Sequence, residues 1–492
     1  MRKLKITLSL LLLISISSCD EFLSETPDNR TQIDTPEKIA ELLVNAYPKG
    51  SYMEFAETMS DNVFDSGDPS FFEPNNTQNY NWEMNEAVDT DSQANYWDAC
   101  YNAIAHANKA LQAIEELGTP TNLLPLKGEA LMARAYAHFM LVTFWSERYN
   151  PATAKTDLGI PYVLKPEEVL LEKYKRNSMA EVFAYLESDI EEGLLYVRND
   201  YSQPKFHFNE NAAKAFATRF YIVKGDWERV IQLSEELAAN PDGKLRDYTS
   251  YLALDFNTRV RVYGDATQET NLLITSAQSW YERSFYQNRF QLTGARQDEV
   301  VGFSTNLFNK DWNFQILSYN GQITVFVPKF DEYFKYTNPN AGIGNGYVSQ
   351  VLLSNNEFYL NRIEALVMEN RFAEANTAMQ YILSTLTDSF DPATDVVTEE
   401  LIIDKYPVIE NEYTPFYELT DKQKSYIKAI AQIRRVDFIH EGIRWFDIKR
   451  FGLEVKHDIY NQPTIVLAKN DKRRALQIPL HASSNGIEKN PR

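Results

Sequence analysis

Apolar positions recur at alternating four- and three-residue steps over much of the chain. Trp97, Tyr101, Ile104, Asn108 and Leu111 trace one face of an α-helix in this way. Leu126, Ala130, Ala133, Ala137, Met140 and Phe144 repeat the pattern with small residues, which let neighbouring helices approach closely. Ser178-Met179-Ala180-Glu181 has the form of a capping box and predicts a helix through about Val197. Thr420-Asp421-Lys422-Gln423 is a second such box. Two stretches predict helix–turn–helix pairs of tetratricopeptide type. In the first, 211–224 turns at Gly225-Asp226-Trp227 into 228–239; in the second, 356–369 turns at Asn370-Arg371-Phe372 into 373–386. They start 145 residues apart, so they form no tandem array, and an ordinary αα-hairpin explains each equally well.

Between the pairs the pattern changes. Residues 242–355 carry β-type runs, Leu272-Leu273-Ile274-Thr275 and Ile323-Thr324-Val325-Phe326-Val327. Polar, aromatic-rich segments separate them: Trp280 to Tyr286, Trp312-Asn313-Phe314, and the turn-rich Asn338 to Gly346. Asp61 to Asp91 has the same texture, with Phe71-Phe72 and Tyr80-Asn81-Trp82 among Asn, Asp and Glu. Long non-helical segments on a helical scaffold are where function usually resides. The expected fold is therefore mostly α: a tetratricopeptide-like helical-hairpin scaffold at about 34–240 and 355–452, with long irregular insertions at about 60–95 and 242–355 and a few short strands.

Composition agrees with a packed protein. Of 492 residues, 44% are hydrophobic and 24% charged, and only 18 are Gly, which leans away from an all-turn β architecture. Tyr (29), Phe (28) and Trp (7) are abundant enough that some should lie in a surface site. The net charge of −20 and the lack of a basic stripe argue against nucleic acid as a partner and against binding to anionic lipid through a basic face.

The first eighteen residues read as an export signal. Arg2, Lys3 and Lys5 precede an apolar run from Ile6 to Ile16, eleven residues where a spanning helix needs about twenty. Ile16-Ser17-Ser18-Cys19 resembles a bacterial lipobox, which makes Cys19 the lipidated first residue of the mature chain; the alternative is an ordinary secretory peptide with a chance cysteine. Several acyl chains on one residue would anchor stably. Cleavage removes three positive charges and leaves about −23. Cys100 is then alone and reads as a small buried hydrophobe. Residues 19–492 are expected to form a single domain.

One motif is specific. Arg434-Arg435-Val436-Asp437-Phe438-Ile439-His440-Glu441-Gly442-Ile443-Arg444-Trp445-Phe446-Asp447-Ile448-Lys449-Arg450-Phe451-Gly452 resembles the C-terminal signature of the SusD/RagB family of outer-membrane lipoproteins of Bacteroidota. Arg435, Phe438, Glu441, Gly442, Arg444, Trp445, Asp447, Arg450 and Gly452 match it. Gln432, His440 and Ile443 depart from it without touching any claimed chemistry. Asp471 to Pro479 and Asn490-Pro491 are similar to the family's ending, and Cys19 to Pro27 to its mature start, so the resemblance spans the chain. Read from the residues alone, the motif is scaffold: Val436, Ile439, Ile443 and Phe446 form a helix stripe, while Glu441, Arg444, Asp447 and Arg450 can pair at i+3 spacing. His440-Glu441 lacks the second histidine of a metalloprotease helix.

The resemblance implies a non-enzymatic, surface-exposed outer-membrane lipoprotein. Such a protein binds a nutrient, usually an oligo- or polysaccharide and in a few members a peptide, and delivers it to a SusC-like TonB-dependent transporter. Sugar rings stack C–H faces on Trp and Tyr, while each hydroxyl hydrogen bond has a net worth of only about 0.5–1.5 kcal/mol. The family's sites lie on loops after the first helices and in the later insertion, so the candidates are Tyr80, Asn81, Trp82, Trp280, Tyr281, Arg283 and Trp312; the alternative for each is a ring or side chain packed inside the protein. A surface glycoside hydrolase is disfavoured because no βα alternation or catalytic motif appears. A plain repeat scaffold that binds only proteins would not need the aromatic insertions. No cofactor is expected, and a structural calcium stays open because irregular oxygen-rich sites leave no sequence trace.

Overall fold

The computed structural model describes residues 33–68, 73–167, 172–284, 288–319 and 323–492. The leader, Cys19, the mature start to Pro27, and the Phe71-Phe72 and Phe285-Tyr286 pairs lie outside the described residues. Helices α1 (Pro36–Leu43), α2 (Met53–Thr58) and α3 (Pro74–Tyr80) are short and precede two long ones, α4 (Gln93–Glu116) and α5 (Leu124–Trp145). α5 is buried on nearly every side, between α4 and α6 (Met179–Tyr196). Its alanines permit this, as does Gly128, where an added Cβ would lie 2.7 Å from the Val197 backbone nitrogen. The capping box at Ser178 and Glu181 is formed as read, and Val197 ends the helix.

Both helical hairpins are present. α7 (Glu210–Lys224) turns at Gly225, whose φ of 82° ends it, into α8 (Trp227–Leu233); this second arm breaks at Ser234 and resumes over Glu235–Ala239. α9 (Asn355–Met368) turns at Asn370, φ 58°, into α10 (Phe372–Leu386). The two pairs, distant in sequence, are neighbours in space, because α9 packs against both α7 and α8. A buried ion pair joins them: Arg219 Nε and Nη2 donate to Glu357 Oε1 and Oε2 at 2.6 and 2.5 Å. A continuous hydrophobic core runs from Ile39 to Ala482.

The insertions are less irregular than expected. α3 lies within 61–91, opened by the Glu73 carboxylate accepting the Asn76 N–H, and short helices at Tyr248–Leu252 and Phe256–Tyr263 lie in the second insertion. The larger correction concerns Asn338 to Gly346. β1 (Asn271–Gln278), β2 (Glu332–Asn338) and β3 (Ile343–Ser354) form an antiparallel sheet with β3 central, and only 339–342 is the turn. Gly342 closes the turn as read, but Gly344 and Gly346 are strand residues instead. A Cβ on Gly344 would meet the Phe334 ring at 2.8 Å, and one on Gly346 the Glu332 carboxylate at 2.6 Å. Their bareness lets the side chains of β2 cross the sheet.

The C-terminal motif is also not one helix. α11 (Asp421–Asp437), capped by Thr420 and Gln423, stops at Phe438, and α12 (Ile443–Phe451) starts after a turn in which His440 and Gly442 both have φ of 71°. Of the i+3 pairs only Asp447–Arg450 forms. Glu441 instead meets Lys329 (2.7 Å), and Arg444 makes a bidentate pair with Asp61 at 2.8 Å on both bonds. The turn docks α2, whose Glu57 carboxylate accepts the His440 and Gly442 N–H groups. A Cβ on Gly442 would sit 2.9 Å from Ala56 Cβ and 3.3 Å from the Met53 backbone. We expect Gly442→Ala to cost about 2–3 kcal/mol, the left-handed strain plus displacement of α2, read as a lower urea midpoint; an unchanged midpoint would show that α2 yields freely.

Candidate ligand-binding site

Four of the seven candidate side chains are buried. Tyr80 is fully enclosed: its ring stacks on Phe290 (4.1 Å) and His457 (3.9 Å), and its hydroxyl donates to Asp458 O at 2.8 Å. Trp82, 4% exposed, stacks on the other side of His457 (4.3 Å) and donates its indole N–H to Met59 O at 3.0 Å. Phe290, Tyr80, His457 and Trp82 thus form one internal stack that pins the first insertion to the C-terminal segment. Burial pushes His457 down to about 4, so it is neutral there at pH 7. Tyr281 packs on Phe330 (5.1 Å), and Trp312 is buried with its N–H donating to Thr305 Oγ1 at 2.8 Å. None of these four rings offers a face to a ligand. Asn81 is half-buried beside them.

Trp280 and Arg283 are different. Both are partly exposed, and the Arg283 guanidinium lies 4.3 Å from the Trp280 ring centroid. Arg283 is held by Glu332, with Nε donating to Oε2 at 2.8 Å and Nη2 to Oε1. Glu332 opens β2, and alternation places Glu332, Phe334 and Tyr336 on one face of the strand. Phe334 (39% exposed) and Tyr336 (57% exposed) meet edge to face at 5.1 Å. The result is a row, Trp280, Arg283, Glu332, Phe334, Tyr336, in which aromatic rings flank a paired arginine and glutamate. Tyr333, 47% exposed, points to the opposite face, stacked on Tyr347 at 5.6 Å. These β2 aromatics escaped the sequence reading. The signal was the alternation in Glu332-Tyr333-Phe334-Lys335-Tyr336 before Pro339-Asn340-Ala341-Gly342, which is a hairpin pattern.

Behind the row lies a buried carboxyl pair. Asp91 Oδ2 accepts the Trp280 N–H at 2.7 Å, fixing that ring's backbone, while Glu54 accepts from Asn288 Nδ2 (2.8 Å) and Ser284 Oγ (3.2 Å). Burial, reinforced by the charge of Asp91, pushes Glu54 up to about 8, and burial pushes Asp91 up to about 7. A carboxyl whose folded pKa is raised binds more protons folded than unfolded between about pH 4 and that value, so stability falls as pH rises through the window. Thermal stability is therefore expected to decline from pH 5 to pH 8 at up to about 1.4 kcal/mol per pH unit for each proton. Asp91→Asn should flatten the slope, and a slope equal in parent and variant would refute the assignment.

The motif's acidic and imidazole groups are structural. His440 Nε2 accepts the Val327 N–H at 3.2 Å, with burial pushing it down to about 3, and Cys100 is buried in α4. Among the described residues no three His, Cys, Asp or Glu side chains gather as a metal site would require, and no helix is long and apolar enough to cross a membrane.

The architecture is a helical-hairpin scaffold that carries an aromatic strand pair, and comparison shows which known proteins share it. Residues 21–222 match the model of the SusD-like_3 family, described as starch-binding and associating with the outer membrane. No curated protein sequence matches the chain. Among solved structures it is similar to a SusD superfamily protein from Bacteroides thetaiotaomicron VPI-5482, with 19% identity over 93% of this chain and 100% of that one and a TM-score of 0.67. It is also similar to a putative sugar binding protein (17% identity, 94% and 99% covered, TM-score 0.62) and a SusD-like carbohydrate binding protein (16%, 92% and 96%, 0.61), both from Bacteroides vulgatus ATCC 8482. Residues 21–222 thus carry the pattern of the SusD-like family, and the fold, matched over 93% of the chain, is that of SusD superfamily structures.

Proposed function

We propose that this protein binds an oligo- or polysaccharide along the row from Trp280 to Tyr336 and delivers it, unmodified, to a SusC-like TonB-dependent transporter, while a lipid on Cys19 holds it at the outer face of the outer membrane. The observation that carries the reading is the placement of two exposed aromatics, Phe334 and Tyr336, on one face of β2, in line with Trp280 and Arg283. Exposed rings cost solvation unless something covers them, and a sugar's C–H face fits a flat ring edged by charged groups. The description of the matched family and the names of two similar structures support a glycan as the ligand. Binding without turnover is supported by Glu332. This carboxylate, central to the row, is mostly buried and clamped by both bonds of Arg283, a poor arrangement for a nucleophile or proton shuttle. The mature charge of about −23 favours neutral over polyanionic glycans.

The test is a glycan-array and affinity-gel screen of the soluble form beginning at Asp20, paired with purification of tagged full-length protein from detergent-solubilised outer membranes. Retention by one neutral glycan class, and recovery of a barrel partner with the lipidated protein, is the expected result. No retention by any glycan would overturn the ligand class and turn the search to peptides. Release of the protein from membranes without detergent would overturn the anchor.

A further inference from the structure

The opposite face of the same hairpin carries a separate pocket. Alternation and register place Tyr333, Tyr347, Gln278, Ser276 and Ser349 on that face. Beside Tyr333 lies a cavity of about 240 Å³, bounded by Phe206, Arg261, Asp265, Asp331, Tyr333 and Ser349. Its aromatic wall is pre-set: Tyr333 shares a 2.6 Å hydrogen bond with Ser276 Oγ and lies 20° from parallel to Tyr347, so one face is backed and the other open. Phe206, 40% exposed, adds a second apolar surface. The floor is rigid, since Ser349 Oγ donates to Gly264 O at 2.8 Å. Asp265 is held below the usual carboxylate range by the Thr267 backbone N–H, which donates to Oδ1 at 2.7 Å, and therefore presents an ionised acceptor. Arg261 is exposed on the helix Phe256–Tyr263 and supplies donors.

We propose that this pocket is a second glycan subsite, one that takes a single neutral pyranose-sized ring independently of the row on the other face. Its volume falls below the roughly 300–1,000 Å³ of pockets that enclose drug-sized ligands, which suits one ring and not a chain. Two carboxylates beside one guanidinium match vicinal hydroxyls, which can donate to Asp265 and Asp331 while accepting from Arg261. The same excess of negative charge disfavours a sugar acid. A ring held here and a chain held on the row would grip a branched or folded glycan from both faces of one hairpin.

This subsite rests on the glycan reading above, and the experiment separates the two. Saturation-transfer NMR of the mature protein is run with glucose, galactose and mannose, and with glucuronate as the anionic control. At least one neutral hexose should give a signal at about 10 mM, the weak range expected of a single ring. That signal should fall at least about fivefold in Arg261→Ala and in Phe206→Ala, and persist in Phe334→Ala/Tyr336→Ala. Both single variants replace exposed side chains, and unchanged melting curves check their fold. No hexose signal in the parent, survival of the signal in both pocket variants, or an equal signal from glucuronate would each overturn the subsite. Loss of polysaccharide retention only in the row variant would leave it standing, and a hexose signal from a protein that retains no polysaccharide would sink the row and keep the pocket.

Discussion

Replacing Phe334 and Tyr336 together with alanine is expected to lower affinity for the retained polysaccharide about a hundredfold while leaving the melting temperature almost unchanged. The magnitude follows from what the rings do. Hydroxyl contacts exchange water for protein at small net gain, so the apolar faces carry most of the binding, and truncating a central aromatic typically costs about 2 kcal/mol or more. Two adjacent rings that share one ligand are not additive, and about 3 kcal/mol for the pair corresponds to about two orders of magnitude in Kd. Stability should hold because the two side chains are exposed, and surface changes of this kind stay within about 0.5 kcal/mol. Trp82→Ala makes the contrast. Its ring closes the internal stack on His457, so it should melt the protein earlier by losing buried packing and leave the affinity of the folded fraction intact. Affinity gels and thermal melts on the same preparations decide. Equal retention by the parent and the double variant would remove the row from the site.

The second large effect is at Asp447. This carboxylate is fully buried and sits between two guanidinium groups: it accepts from Arg434 Nε at 3.1 Å and from Arg450 Nε at 3.0 Å. Arg434 also donates to Asn361, and Arg450 to Glu364, so one acid ties α11 and α12 to α9. Burial alone would raise its pKa, but the charges of Arg434, Arg450 and Arg444 hold it below the usual carboxylate range. Asp447→Ala leaves two cations facing each other out of water, and breaking such a buried pair costs about 3–5 kcal/mol. Asp447→Asn should cost less because an acceptor remains for one arginine. The midpoint of urea unfolding measures both, and a loss under about 1 kcal/mol for the alanine variant would mean that water enters and solvates the arginines.

The helical scaffold was legible because its signals are local. Periodicity marked α4 and α5, Ser178 and Thr420 each announced a cap with the partner three residues on, and Gly225 and Asn370 marked turns that demand a left-handed backbone. The motif from Arg434 to Gly452 pointed to the family and was read as scaffold, although only Asp447 finds its partners, Arg434 and Arg450, inside the motif, while Glu441, Arg444 and Arg450 also reach Lys329, Asp61 and Glu364, far off in sequence. The insertions were legible only as places. Asn338 to Gly346 looked like turns because glycine and asparagine signal chain reversal, whereas in the structure Gly344 and Gly346 are bare strand positions that make room for Phe334 and Glu332.

By itself the sequence determined the class of fold and the helical hairpins, since both follow from spacing along the chain, and its motif pointed to the SusD-like family. Only the tertiary structure decided which aromatics face water. Tyr80, Trp82, Tyr281 and Trp312 have the same chemistry as Trp280, Tyr333 and Tyr336, and the difference between an internal stack and an open platform lies in what arrives opposite the ring: His457 and Phe290 from distant parts of the chain for Tyr80, and among the described residues only the neighbouring Phe334 ring for Tyr336, which stays 57% exposed.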